Sequence, residues 1–510
     1  MERFDGGLNL RDAPTELGPN ETPSSMNVTL DERGGAEARL GISKLNGSSL
    51  LPASPVALYY SEVCDALLAY ISTDAGVGKL YKSTDGGVTW SAVTITFTTG
   101  AQAAMTDFRN RLVLVNTLDG VYSYPSDLTA PTHTAGGSAN MDEVRGSAIA
   151  VWQNKLWVVG DVREDATHSK ARVWWCNAGN ELLWTVASAF IDIRDVDTKA
   201  LTAVGAGMGM DITGKPTLLV YKSASTYRIN DSASGSYTTL HSRGAGSASG
   251  RSVASVNGRI CSINGEGIWV TDGLAVPTRV SDKLSPLFTA DGVNLGAMNM
   301  WTAAPFKDRV VFNITRAGSS LNNLMLEYHP AIGWTVAHSL ALGPMTMYTK
   351  NTSKLIAAGA ASSGKIFETF KGGADDGSAI AARYQTPWIA TDKGNEARLR
   401  YLRVYGRAAC VGQLMQDFAT VGENYTLNFD QGFGFVWDVD HWDVGVWGDP
   451  ATEGPADTPL DQVCKYVSFI FSNSTSTSAF KPALLGDGVA PEVGAWAVYG
   501  VNLDFVKLGT

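Results

Sequence analysis

The residues whose types and spacing are best suited to chemistry fall in residues 433–449. There Asp438, Asp440 and Asp443 flank His441, and Trp437, Trp442 and Trp447 are interspersed with them. On a strand, side chains alternate between two faces, so acids alternating against indoles would leave one face acidic and the other aromatic. Carboxylates beside an imidazole form a donor set for a hard cation such as calcium. Two carboxylates can also act as the acid and base of glycoside hydrolysis. A simpler reading is a strand and loop whose indoles pack or meet a neighbouring subunit, since Trp is enriched at protein interfaces. The simpler reading is preferred, and it makes Trp437, Trp442 and Trp447 candidate subunit-interface residues. The rest of the chain offers no competing machinery. The six histidines form neither HExxH nor HxH, and no Gly-x-Ser-x-Gly elbow, P-loop or dinucleotide fingerprint occurs. No catalytic residue, metal ligand or cofactor is assigned, and the chain is not expected to be an enzyme.

A second motif reads as architecture. Ser83-Thr84-Asp85-Gly86-Gly87-Val88-Thr89-Trp90 fits Ser-x-Asp-x-Gly-x-Thr-Trp. Asp85 can accept main-chain N–H groups in a tight turn, Gly87 can take positive φ, and Trp90 can pack beneath the hairpin. The string resembles the Asp-box on hairpins of sialidase-type propellers, where it is a structural device away from the catalytic centre. Such a resemblance also implies the alternative of a glycan-binding or sialidase-like propeller. Sialidases need an arginine cluster to hold a carboxylate sugar, and no recognisable one is present.

The elements that would position these residues follow from composition and repetition. Of 510 residues, 54 are Gly, 14 Trp, 17 Tyr and 17 Phe, while only 18% are charged. This composition suits strands joined by tight turns and argues against coiled coil or disorder. The net charge of −10, with no basic cluster, argues against a tightly held nucleic acid, because phosphate neutralisation supplies most of that affinity. DNA in transit remains compatible, since an acidic wall does not retain phosphate. No apolar run reaches the ~18 residues of a membrane span, and the first residues lack the apolar core of a signal peptide. The chain is therefore expected to fold in the cytoplasm, with its five cysteines reduced and mostly buried.

A weak repeat runs through the first 370 residues: a polar turn, a β-type run, a loop and a second β-type run. Its apolar anchors are Leu67, Leu112, Leu156, Leu218, Ile260, Val310 and Leu355. Five of the six steps between them match the ~40–50 residues of a four-stranded propeller blade, and the step from Leu156 to Leu218 carries an insertion. Such units bury both faces only by packing around an axis. The expected fold is all-β: a β-propeller of six to eight blades, seven favoured, over residues 46–375. Residues 371–378 read as a Gly-rich linker. Period-two alternation beyond it predicts a C-terminal β-sandwich or jelly roll over residues 384–510. Residues 1–45, rich in Gly, Pro and Asn with few core residues, read as an extended arm that docks on a neighbour, with Leu8 and Leu10 as candidate contacts.

That arm carries a further likeness. It reads Gly6-Gly7-Leu8-Asn9, then Pro19-Asn20-Glu21, then Pro23, Asn27-Val28 and Arg33-Gly34-Gly35. Residues 172–184, 218–229, 252–258 and 265–269 add to it. These passages resemble a broad group of bacteriophage tail proteins that includes the nozzle or tail-hub subunits of short-tailed phages. The resemblance implies a virion structural protein, a homo-oligomeric and often six-fold ring that extends or closes the DNA-ejection channel. Its implied partners are other tail or head-to-tail connector proteins and genomic DNA passing without specific binding. It also implies synthesis in the bacterial cytoplasm and residence in the virion tail without membrane insertion. A receptor-binding tail component is the remaining alternative.

Overall fold

The seven apolar anchors all lie on second strands of antiparallel sheets, and each is at most 1% exposed. The computed structural model describes residues 4–30, 34–135, 140–194, 199–210, 216–232, 235–361, 363–390, 397–407, 409–418, 423–428, 453–464, 466–472 and 497–507. It divides into two units, one of residues 44–330 and 340–369, the other of residues 1–43, 331–339 and 370–510.

The first unit is all-β, with many four-stranded antiparallel sheets. Sheet one runs Ala57–Ser61, Ala66–Asp74, Val77–Ser83 and Ser91–Phe97, each strand paired to the next. Sheet two has Ala103–Phe108, Arg111–Asn116 and Gly120–Tyr124. Sheets three, four and five begin with Ala148–Trp152, Leu201–Met210 and Val253–Val256 and have four strands each. Sheet six contributes Thr302–Phe306, Arg309–Ile314 and Leu324–Tyr328 to this unit, and sheet seven Leu342–Tyr348, Lys354–Gly359 and Ile366–Thr369. The first strands of the seven sheets touch in sequence order, and that of sheet seven returns to that of sheet one. A closed ring of such sheets is a β-propeller.

Side-chain alternation explains the ring. Leu68 and Tyr70 enter a core shared with Leu112 and Leu114 of sheet two, whereas Leu67, Ala69 and Ile71 enter one shared with Ile356, Ala358 and Ile366 of sheet seven. Val113 and Val115 face Leu156 and Val158 of sheet three, while Trp157 and Val159 face Leu218 and Val220 of sheet four. Each second strand is buried on both faces and so reads as a continuous apolar run. Each such side chain contributes ~1.5–3 kcal/mol by leaving water. The ring is closed by the segment entering it: Leu45 N–H donates to the Ile366 carbonyl at 2.8 Å and Leu51 N–H to that of Gly364 at 3.1 Å.

The second unit differs from the expected arm-plus-sandwich division. The N-terminal residues are strands within it. Ser24–Met26 pairs with Arg383–Gln385, which continues through Tyr466–Ser472 and Ala409–Gln416 to Glu423–Asn428. Val28–Leu30 pairs with Ala36–Ala38, which leads through Ala497–Lys507 and Ala397–Arg407 to Glu453–Cys464. Backbone groups that a lone arm would leave to solvent or to a neighbour are thereby paired within the chain. Residues 371–378, expected to be a linker, include Ala374–Asp375, which pairs with Ser378–Ala379 in a tight hairpin. Among the described residues, no helix is long and apolar enough to cross a membrane.

Candidate functional site

The Asp85 turn joins the last two strands of sheet one. Asp85 accepts the Ser83 hydroxyl at 2.7 Å, the Val88 N–H at 3.1 Å, the Thr89 N–H at 3.0 Å and the Thr89 hydroxyl at 2.5 Å. The Gly87 N–H donates back to Ser83 Oγ at 2.8 Å, and Gly87 sits at φ +99°, where a side chain would be strained. Trp90 is half-buried on the core shared by sheets one and seven, with its Nε1–H donating to the Gly87 carbonyl at 3.0 Å. Burial opposes ionisation of Asp85, but the donors from Thr89, Ser83 and Val88 outweigh it and hold the carboxyl down at about 2. Both carboxylate oxygens are engaged inside the turn, so this motif serves the hairpin.

The N-terminal passage is likewise built from mutually bonded residues. Asn9 donates to Glu21 at 2.9 Å and to Asp12 at 2.9 Å, and Glu21 also accepts the Gly18 N–H at 2.9 Å. Asn20 donates to Asp5 at 2.9 Å, and its carbonyl accepts the Gly6 N–H at 2.9 Å. Any Cβ at Gly6 would lie 2.7 Å from that same carbonyl oxygen. Asn27 donates to Ser339 at 2.8 Å and to the Ala381 carbonyl at 2.9 Å, and accepts Arg39 Nε–H at 3.0 Å. Leu8 is only 6% exposed and is consumed within its own unit, so it is not free to meet a neighbour; Leu10, at 37%, is exposed. Arg33, Trp437, Trp442, Trp447 and the acids around His441 lie outside the described residues.

Sequence reasoning missed the axial opening of the propeller. A cavity of about 150 Å³ is lined by the first strands of sheets one, two, three, six and seven together with Gly250 and Arg251. A second, of about 340 Å³, shares Ala103, Gly250 and Arg251 with it and lies where the first strands of sheets two to six begin. The segment before sheet five reaches into the opening. At Gly250 a Cβ would lie 2.6 Å from the Ser147 carbonyl oxygen at the edge of sheet three. Arg251 donates from Nη1 to the Val56 carbonyl beside sheet one and from Nη2 to the Asn299 carbonyl at 3.0 Å. Its own carbonyl accepts the Ala303 N–H at 2.6 Å. Burial, with no carboxylate to offset it, pulls the guanidinium down to about 10. The only sequence signal was an isolated Gly-Arg pair ahead of a strand, which carries no meaning until the ring closes around it.

The larger cavity borders a charged loop of sheet three. Arg163 binds Asp161 at 2.7 Å and Glu143 at 3.1 Å. His168 bridges Glu143 and Asp165, each at 2.9 Å. The His168 and Arg163 hydrogen bonds hold the Glu143 carboxyl below its usual range despite partial burial. Among the described residues, no group of three or more His, Cys, Asp or Glu side chains is arranged to hold a metal ion.

No protein-family model matches the chain, and no curated protein matches it. Solved structures similar to it include the computationally designed protein Ika8, at 11% identity and TM-score 0.37, covering 64% of this chain and 99% of that one. A chain of the Mitotic Checkpoint Complex is 10% identical with TM-score 0.43, covering 71% of this chain and 100% of that one. BamB from Moraxella catarrhalis is 10% identical with TM-score 0.37, covering 66% and 98% respectively. Such distant likenesses carry nothing about function, and the propeller rests on the order of the sheets and the closure of the ring described above.

Proposed function

We propose that this chain is a structural subunit of a bacteriophage tail, one copy of a ring that extends or closes the DNA-ejection channel. The observation that carries the reading is the N-terminal passage resembling those tail proteins. Its Asn9, Asn20, Glu21 and Asn27 are the residues whose side chains lock the first strands together. A string whose polar side chains are engaged within the fold supports the reading better than a solvated one would. In this reading DNA does not pass through the propeller, whose axial opening is crossed by Arg251. The conduit is instead formed between copies, in the closed ring that a head-to-tail interface generates. A net charge of −10 lets phosphate slide past, since each Lys or Arg contact would add binding that slows exit. Leu10 and the indoles of 437–447 are the proposed contacts to neighbours.

The test is an antibody raised against residues 384–510, applied to purified phage particles from a host expressing this chain. Labelling confined to the tail in electron micrographs is expected, with a density map resolving a ring of copies. Particles devoid of the antigen, beside an abundant free monomer in the lysate, would overturn the reading. Blocking of adsorption by the same antibody would place the receptor-binding role on the same subunit.

A further inference from the structure

We propose that the cavity of about 340 Å³ at the mouth of the axial opening is a binding site for a small oxyanion, a carboxylate or phosphate group, held by Arg251 and Lys170. The site belongs to the propeller unit alone and is independent of the tail reading.

The argument begins with charge. A chain with ten more acidic than basic residues places two cations in the wall of one cavity. Among the described residues the Arg251 guanidinium donates to main-chain carbonyls, those of Val56 and Asn299, and no carboxylate pairs with it. A withdrawn charge without a counter-ion is costly, and the penalty is relieved when an anion enters. A guanidinium carries five N–H donors in a planar fork, more than these two carbonyls consume. Lys170 is half-buried in the same wall. Its main-chain N–H donates to Glu164 at 3.1 Å, but its ammonium has no ion pair among the described residues.

Among the described residues the cavity wall holds one carboxylate, and it is already neutralised. Asp161 has no exposed side-chain surface and receives Arg163 from Nε at 3.0 Å and from Nη2 at 2.7 Å. The wall facing a ligand is thus positive, with Gln102 and Ser147 adding neutral donors. The volume lies at the small end of ordinary ligand pockets. It accommodates a metabolite-sized acid, so the shared chemistry is that of a compact oxyanion.

Titration calorimetry of the full chain at low salt tests this with two probes, inorganic phosphate and succinate, and with succinamide as the uncharged control. Saturable one-to-one binding of at least one anion is expected, with none of succinamide. Phosphate alone assigns a phosphate ligand, and succinate alone a carboxylate. Lys170→Ala should weaken the binding roughly tenfold or more, the scale of one charge-assisted hydrogen bond. Its thermal midpoint should be unchanged, because the ammonium makes no ion pair among the described residues. Arg251→Gln should abolish binding, with circular dichroism confirming the fold. The site is refuted if neither anion binds at millimolar concentration, or if both variants bind as tightly as the parent.

Discussion

Arg39 and Asp375, 336 positions apart, meet in a two-pronged ion pair, with Nη1–Oδ1 at 2.8 Å and Nη2–Oδ2 at 2.6 Å. The Arg39 side chain is fully buried, and its remaining donors reach Asn27 Oδ1 and the Leu40 carbonyl, both at 3.0 Å. One guanidinium therefore ties the first strands to the hairpin that follows the propeller. Removing it would leave the Asp375 carboxylate without its counter-charge and take from Asn27 Oδ1 one donor, the Ser339 N–H remaining. Arg39→Ala should destabilise the second unit by ~3–5 kcal/mol, read as a lower urea midpoint. Arg39→Lys should recover only part of this, because an ammonium cannot reproduce the planar fork. A midpoint unchanged by Arg39→Ala would show the pair to be incidental.

Ring closure depends on Asn46, which is fully buried. Its amide donates to the Gly364 carbonyl at 2.8 Å and its carbonyl accepts the Ile366 N–H at 3.1 Å. Asn46→Ala takes the acceptor from the Ile366 N–H, at ~1–3 kcal/mol, while the Gly364 carbonyl keeps the Leu51 N–H. Hydrogen exchange should speed up first at Ile366. Equal protection in variant and parent would place the closure elsewhere.

The Asp85 turn requires positive φ at Gly87, where a Cβ would also lie 3.3 Å from Leu45 Cδ1. Gly87→Ala should cost ~1–2 kcal/mol from the left-handed backbone, measured as a fall in the chemical-denaturation midpoint. A neutral result would mean the hairpin can flip to another turn type.

Acid should dissolve the same turn in a defined window. The folded Asp85 carboxyl, held at about 2, lies below its unfolded value near ~3.9. Its contribution is therefore complete above pH ~4 and disappears as the pH falls towards 2. The stability difference between parent and Asp85→Asn should shrink across that interval. A difference that is flat from pH 7 to 2 would contradict the assignment.

Burial pushes the Cys176 thiol up to about 11 and Cys261 to about 12, so neither offers thiolate near neutrality. A disulfide-exchange reagent applied to the native chain, followed by peptide mapping, should leave both unmodified until denaturant is added. Cys64, half-buried with a raised pKa, should react slowly. Rapid native labelling of Cys261 would mean that its sheet opens.

The ring was legible in the sequence because a strand buried on both faces must be apolar without interruption. Leu67 to Ile71, Leu112 to Val115 and Leu156 to Val159 are such runs, and their recurrence after polar turns marked the strands that carry the seven anchors. The Asp85 turn was legible for the same reason of locality, since all its bonds fall within a few residues. Three things were decided only by the tertiary structure. Ser24–Met26 and Ala36–Ala38 entered sheets whose further strands lie in the last third of the chain, too distant for any local pattern to show. Residues 371–378 became a hairpin anchored by Arg39 because the carboxylate of Asp375 has its counter-charge far away in sequence. Arg251 came to stand in the axial opening, since a cation's surroundings are set by whichever chain segments the closed ring gathers about it.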